Sequence, residues 1–444
     1  MTAMENPRQT DPAASDAEGF TRGKALAAQA ASTGMALRSS DEKNRALALI
    51  AGELERSADS ILAANALDMQ AGERAGIGPK LDRLLLTRER IDAICRDIHN
   101  VIALDDPVGQ VLGESDRPSG LRVTRVRCPL GVVGIIYESR PNVTVDATVL
   151  CLKTGNAVVL KGGSDAIHSN RAIVSAIHRA LAESPLPVDA VQLLDSTERA
   201  VTAAFLGLRG VLDVIIPRGS LSLIRFARDN AKVPVIETGA SVVHVYVDSE
   251  VDVAQAVELI VNAKTRRVSI CGALDVLLLH KYSVRAVAGA LAEALARREA
   301  AGETPVEVRA EAAVLGAMEG ALSPGRLKPL DPATDFDTEW LDHILAVRAV
   351  DSMDAALEHI RAHSLKHTEA IYTTNAGRAE RFLNAVDAAC VMHNASTQFT
   401  DGAEFGLGAE IGISTQKLHV RGPFALEGLT SMKWLVRGTG QIRP

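Results

Sequence analysis

From about Gly19 to Ala103 the apolar residues recur at helical spacing, most clearly in Arg45–Leu62 and Arg88–Ile102, and polar turns separate them. This predicts a helical opening. The segment RPSGLRVTRVRCPLG, Arg117–Gly131, changes to alternation and predicts an extended, hairpin-like excursion. Short apolar runs then alternate with helical stretches: strand Gly131–Tyr137, a helix from about Val145 to Lys153, a Thr154-Gly155-Asn156 turn, strand Ala157–Lys161 and helix Ala166–Glu183. Further strands are expected at Val191–Leu194, Val211–Pro217 and Val233–Glu237, with helices between them. Continuous apolar strands separated by helices mark a parallel sheet covered on both faces.

A second series runs through helix Val253–Lys264, strand Asp275–His280, helix Val284–Arg298, strand Ile344–Val350, helix Met353–His363, strand Glu369–Thr373 and helix Ala376–Val386. Two α/β domains follow, as the length of 444 residues also suggests. Their boundary is expected near Asp248–Asp252. Residues 1–17 are polar and rich in Pro, Ala, Asp and Ser, and read as a disordered leader. They lack the basic and apolar blocks of a secretory signal.

Composition narrows the function classes. Apolar residues at 47% and charged residues at 23% suit a globular enzyme, while aromatics at 3% supply few stacking platforms. The net charge is −7 and no long run of Lys and Arg occurs, which disfavours nucleic acid as a partner. Apolar runs such as Val132–Tyr137 and Val276–Leu279 fall far short of the ~20 residues that cross a membrane. The five cysteines, Cys95, Cys128, Cys151, Cys271 and Cys390, are scattered and form no C-x-x-C pair. Reduced thiols in the cytoplasm are the expectation.

A thiolate is the strongest nucleophile among common side chains. Cys95 and Cys151 lie on apolar stripes, and Cys128 and Cys390 lie in or beside expected strands, so all four read as small buried hydrophobes. Cys271 follows NAKTRRVSI at a helix-to-strand junction, with Lys264, Arg266 and Arg267 upstream. Nearby cations lower a thiol pKa and attract anionic substrates. On this local chemistry alone, a structural cysteine remains the commoner reading. Two turns suit phosphates at helix starts: Lys161-Gly162-Gly163-Ser164, and Arg218-Gly219-Ser220. Neither is a G-x-G-x-x-G or a P-loop, and each is also compatible with plain turn chemistry. The glycine-rich, polar stretch Asn394–Gly412 suits a clamp on a small polar substrate, or an ordinary surface loop. The histidines show no paired-ligand spacing, so no metal is expected, and no G-x-S-x-G elbow suggests a serine hydrolase.

At PLGVVGIIYESRPNVTVDA (Pro129–Ala147) the chain resembles the gamma-glutamyl phosphate reductases, a branch of the aldehyde dehydrogenase superfamily. The resemblance continues through LKTGNAVVLKGGSDA (Leu152–Ala166), IIPRGS (Ile215–Ser220), VNAKTRRVSICGALDVLL (Val261–Leu278), TEWLDHILAV (Thr338–Val347), HTEAI (His367–Ile371), Asn394–Pro423 and LEGLTSMKW (Leu426–Trp434).

It implies an aldehyde-dehydrogenase-like fold with an NADP-binding domain (18–116 and 132–250) and a catalytic domain (251–424). Two oligomerisation arms (117–131 and 425–444) complete it. The implied reaction is reduction of L-glutamyl 5-phosphate by NADPH to L-glutamate 5-semialdehyde and phosphate, in proline biosynthesis. Cys271 matches the cysteine that forms the thioester, and Asn142 with the Cys271 backbone N–H are expected to hold the oxyanion. Arg140 and Arg266 are expected on the substrate phosphate, and Asn394, Ser396 and Thr397 on the glutamyl carboxylate and amine. Lys161, Gly162, Gly163, Ser164, Gly219, Ser220 and Glu339 are expected at the cofactor. A homo-oligomer and a possible contact with glutamate 5-kinase are the expected partners.

The chain departs from the family pattern at Ser241, Gly272 and Gln398. Glu237 stands where hydrolytic aldehyde dehydrogenases keep a base, which leaves that activity as an alternative; a non-catalytic nucleotide-binding homologue is the second.

Overall fold

The computed structural model describes residues 12–78 and 80–443. They form two compact units: unit 1 holds the described residues up to Thr238 with Leu407–Gly412 and the chain from Phe424 onward, and unit 2 holds Gly239–Gly406 with Ile413–Pro423. Among the described residues no helix is long and apolar enough to cross a membrane.

Unit 1 opens with five helices, α1 (Pro12–Met35), α2 (Ser40–Arg56), α3 (Ala58–Arg74), α4 (Lys80–Leu84) and α5 (Arg88–Ala103). The expected leader therefore ends early: residues 12–17 are already helical and Ala17 is buried, while residues 1–11 lie outside the described residues. Ser39 and Glu42 make a reciprocal capping box at the start of α2, and Thr87 caps α5, so polar residues set these starts. Strands β1 (Val111–Asp116) and β2 (Arg122–Pro129) follow.

The four-stranded parallel sheet of unit 1 has the order β5-β4-β3-β6, built from β3 (Val132–Tyr137), β4 (Ala157–Gly162), β5 (Val191–Leu193) and β6 (Val214–Arg218). Helices α6 (Pro141–Lys153), α7 (Ile167–Ala182), α8 (Arg199–Leu206) and α9 (Leu221–Asn230) alternate with these strands. Every residue of β3 and β4 is buried, as continuous apolar strands require. The strand expected at Val211–Pro217 starts only at Val214. Val233–Glu237 forms no strand, only an isolated bridge between Ile215 and Val235. Pro234 has no N–H to donate, so the ladder cannot continue there.

Unit 2 is a seven-stranded sheet of order β10-β9-β11-β8-β7-β12-β13. Its elements run β7 (Val243–Val247), α10 (Val253–Thr265), β8 (Leu274–His280), α11 (Val284–Ala300), β9 (Glu307–Ala310), α12 (Ala312–Met318), β10 (Leu327–Pro329), β11 (Ile344–Val350), α13 (Met353–His363), β12 (Thr368–Tyr372), α14 (Ala376–Ala385) and β13 (Cys390–His393). All its pairings are parallel. Strand alternation divides the core: Val245, Val247, Leu277 and Leu279 pack in one cluster, and Tyr246, Val276 and Leu278 in the other. The boundary falls after Thr238, ahead of the expected Asp248–Asp252, because β7 sits between β8 and β12 and cannot leave their sheet. Leu407–Gly412, expected with the second domain, groups with unit 1.

Two short strands, β14 (Gly412–Ser414) and β15 (Gly422–Phe424), pair with each other, and β16 (Thr430–Arg437) closes the chain. β16 pairs antiparallel with β2 from Thr430↔Pro129 to Arg437↔Arg122, and β1 flanks β2 on its other side. Met432, Trp434 and Val436 of this edge strand are exposed.

One glycine limits the core of unit 1. A Cβ at Gly134 would stand 2.7 Å from the Phe205 ring and 3.0 Å from Leu212. Gly134→Ala should therefore destabilise unit 1 by about 1–3 kcal/mol through overpacking, read as a lower urea midpoint. An unchanged midpoint would show that Phe205 yields freely.

Candidate active site

In unit 2, α10 ends at Thr265, and residues 266–273 form the loop that leads into β8. Cys271 lies in it and is half-buried. Cys95 and Cys151 contrast with it: burial pushes the Cys95 thiol up to about 11 and the Cys151 thiol higher still, so both are inert packing groups. Cys390 is also buried, whereas Cys128 is half-buried, unlike the fully enclosed residue its alternating surroundings suggest.

Arg266 and Arg267 are exposed at the start of this loop, whereas Lys264 is buried. Its Nζ donates to the Leu274 carbonyl at 2.9 Å, and burial lowers its pKa to about 8. The sequence groups Lys264 with Arg266 and Arg267 as cations near Cys271. The helix phase instead turns it inward, onto the start of β8.

Asp275, the second residue of β8, was overlooked. Its carboxylate accepts the N–H of Val243 at 3.1 Å and of Trp340 at 3.2 Å, and it thereby fixes the segment that carries Glu339. Desolvation raises its pKa to about 7, with the Lys264 charge opposing. A lone carboxylate heading the apolar run LDVLLLH was the available signal. Glu339 itself accepts from the Ser241 hydroxyl at 3.1 Å. The departure at Ser241 thus supplies a donor to the expected cofactor carboxylate. Three residues on, His244 is fully buried, and its backbone N–H donates to the buried Glu369 at 3.0 Å.

Residues 394–400 run the length of the neighbouring strand. The Asn394 side chain donates to the Thr373 carbonyl at 2.9 Å and accepts the Thr373 N–H at 3.0 Å, just past the end of β12. Thr400 accepts from Thr368 at 2.9 Å, at the beginning of β12. Between them, Ser396 donates to Asn262 at 2.6 Å and Gln398 donates to the Ala263 carbonyl at 2.8 Å, pinning the segment to the end of α10. Thr397 then meets the Cys271 loop: a Cβ on Gly272 would lie 2.7 Å from the Thr397 carbonyl oxygen. The departure at Gly272 therefore permits close backbone packing, and Gln398 does the holding. Asn394 and Ser396 commit their side chains to bracing. The Thr397 hydroxyl is buried and has no hydrogen-bond partner among the described residues.

In unit 1 the other expected residues gather at the ends of β3, β4 and β6. Lys161 is buried, its Nζ donates to the Gly162 carbonyl at 3.0 Å, and desolvation lowers its pKa. Ser220 caps α9, accepting from Leu223, and Glu138 accepts the Ser220 N–H at 3.0 Å. Arg140 is the N-cap residue of α6, and Pro141 occupies its first turn. Asn142 donates through Nδ2 to Asp146 at 3.0 Å. Asp146, which sequence reasoning passed over, faces a cavity shared with Arg218 and Glu410. Desolvation raises its pKa to about 6 and Arg218 opposes that rise. Glu237 stands 3.7 Å from the Arg228 guanidinium. Among the described residues, no group of three or more His, Cys, Asp or Glu is placed to hold a metal.

The backbone N–H groups at the start of α9 are of the kind that suits a phosphate, and within unit 2 the Glu339 carboxylate beside Ser241 is of the kind that accepts ribose hydroxyls. The family model described as the aldehyde dehydrogenase family matches residues 11–318. The gamma-glutamyl phosphate reductase of Halalkalibacterium halodurans is 48% identical over 95% of this chain and 98% of its own length. That of Sphingopyxis alaskensis is 51% identical over 91% of each chain. The crystal structure of gamma-glutamyl phosphate reductase from Thermotoga maritima superposes with a TM-score of 0.90 at 42% identity, over 96% of this chain and 100% of that one.

The buried Asp275 has a consequence for stability. A folded-state pKa near 7, well above the ordinary aspartate value, means that the folded chain keeps a proton which the unfolded chain releases. The stability this contributes is full below the unfolded value and is lost as pH rises towards the folded one. Asp275→Asn removes that dependence, so its stability relative to the parent should improve between about pH 4 and about pH 7 in chemical denaturation. A difference constant with pH would refute the buried, protonated carboxyl.

Proposed function

Because the chain belongs to the aldehyde dehydrogenase family and, within it, to the gamma-glutamyl phosphate reductases, we propose that it reduces its acyl phosphate through a Cys271 thioester with NADPH. It is an oxidoreductase, and the step is the reduction of L-glutamyl 5-phosphate in proline biosynthesis. The observation that carries the thioester is the placement of Cys271. It is half-buried on a loop flanked by exposed arginines and packed on the segment that holds the unpartnered Thr397 hydroxyl.

The Cys271 sulfur attacks the acyl carbon, the carbon–sulfur bond forms, and the carbon–oxygen bond to phosphate breaks, releasing inorganic phosphate. Phosphate leaves readily, so the demand on the protein is to hold the developing oxyanion. The Cys271 backbone N–H and the Asn142 side chain take that role, with Asp146 orienting the Asn142 amide. Arg140 and Arg266 take the phosphate, since planar guanidinium suits two oxygens at once. Thr397 contributes its hydroxyl to the glutamyl end, on a loop that Asn394 and Ser396 keep rigid. Lys161, Gly162, Gly163, Ser164, Gly219, Ser220 and Glu339 would hold NADPH, which supplies the hydride when bound. Cys271 then releases the aldehyde product.

The cofactor-binding part is assigned to residues 18–116 and 132–250 and the catalytic part to residues 251–424. The edge strand β16, with Met432, Trp434 and Val436 exposed, is the surface expected to pair subunits into a homo-oligomer. The enzyme works in the cytoplasm, and the lability of an acyl phosphate favours direct delivery from glutamate 5-kinase.

Hydrolytic oxidation would need Glu237 as a base, and its position near Arg228 favours a charge-paired role instead. Oxidation of glutamate semialdehyde should require inorganic phosphate and prefer NADP to NAD. Turnover without phosphate would point to the hydrolytic enzyme. Cys271→Ala should lower turnover by about a thousandfold or more while NADPH still binds; retained activity ends the thioester route. Trp434→Glu should shift the chain to a smaller species in size-exclusion chromatography, and an unchanged elution would remove β16 from the subunit contact.

A further inference from the structure

Strand β3 ends at Tyr137, and the next two side chains reach into the turns assigned to the cofactor. Glu138 accepts the Ser220 N–H at 3.0 Å through Oε2 and the Ser220 hydroxyl at 3.3 Å through Oε1. Its own N–H donates to the Arg218 carbonyl at 3.2 Å. A Cβ on Gly219 would stand 2.7 Å from Glu138 Oε2, so the carboxylate lies directly over the Gly219–Ser220 peptide. The following residue, Ser139, has φ +43°, a left-handed conformation uncommon outside glycine. Its hydroxyl bonds Asp165, in the turn after β4. The Glu138-Ser139 pair is therefore clamped to both turns at once.

The first N–H groups of a helix bind anions because they lack intrahelical acceptors and carry the positive end of the dipole. Helix α9 is ten residues long, and in this structure a carboxylate of the same chain takes that seat. We propose that Glu138 is an internal competitor for the cofactor's phosphates, holding the anion seat of α9 in the free enzyme and giving it up when the dinucleotide binds. The inference rests on the assignment of Gly219 and Ser220 to the cofactor. Binding becomes an exchange of one anion for another rather than the filling of a bare site. Glu138 thus lowers nucleotide affinity and favours release of the spent cofactor. Because the rivalry is between charges, salt weakens it.

Glu138→Gln keeps the shape and one acceptor but removes the charge. NADPH titration of the full chain should show a dissociation constant lowered by about two- to tenfold, the usual scale for an anion at a helix start, with the difference shrinking at high salt. Glu138→Asp, one methylene shorter, should tighten binding in the same direction and stands in if the first variant melts early. Gly219→Val, which places a side chain at the seat, tests the underlying assignment and should weaken binding. If Gly219→Val weakens binding while neither Glu138 variant tightens it, the competitor role is wrong and the cofactor assignment stands. If Gly219→Val leaves binding unchanged, that assignment fails and the inference falls with it.

Discussion

The structure depends on parallel strands that meet no water on either face. Within β3, β4, β7 and β8 every residue is buried, so each peptide group must find its partner in the ladder, and a polar side chain there needs a specific reason. The residues proposed for the chemistry consequently stand at the strand ends. Glu138 to Asn142 follow β3, Lys161 to Ser164 close β4, Gly219 and Ser220 follow β6, and Cys271 precedes β8. The apolar sheet determines where these groups can stand, and the turns determine where they point.

Where an ionisable side chain does enter the buried layer, it organises its surroundings. Leaving a buried polar group without partners costs about 1–3 kcal/mol, and more for a charge, so Asp275 takes two backbone N–H groups and Lys264 takes a carbonyl. These two residues stand at either side of the Cys271 loop in sequence, and one of them ties down the segment that carries Glu339. Their shifted pKa values follow chiefly from burial, and each charge moderates the other's shift. The result is a loop held at both ends by groups that do not themselves react.

Backbone conformation has a comparable part in two places. Ser139 and Asn394 both adopt positive φ, at 43° and 49°, and each uses its side chain to hold the turn. Asn tolerates this conformation better than most residues. The bend at Asn394 begins the path that returns the chain along β12 to Thr400, and that path delivers Thr397 to the Cys271 loop. A segment that reads as a polar loop is therefore a strap with four separate anchors, at Thr373, Asn262, Ala263 and Thr368.

The alternation of apolar runs with helices determined two parallel α/β layers, because burial on both faces leaves a continuous apolar signature. Helices such as Met353–His363 were legible to the residue, since Ser352 caps one end and the apolar spacing defines the face. The motifs that carry the resemblance to the gamma-glutamyl phosphate reductases pointed to the reaction, whereas the local surroundings of Cys271 and Ser220 alone left plain structural roles the commoner reading. Sequence could not place the boundary at Thr238, since membership of β7 in a sheet depends on partners far along the chain. It could not show that Lys264 turns inward, that Asn394 and Ser396 brace rather than reach out, or that Glu138 sits on Ser220. Those outcomes depend on hydrogen bonds between residues widely separated in the chain, and only the folded geometry brings such donors and acceptors within reach.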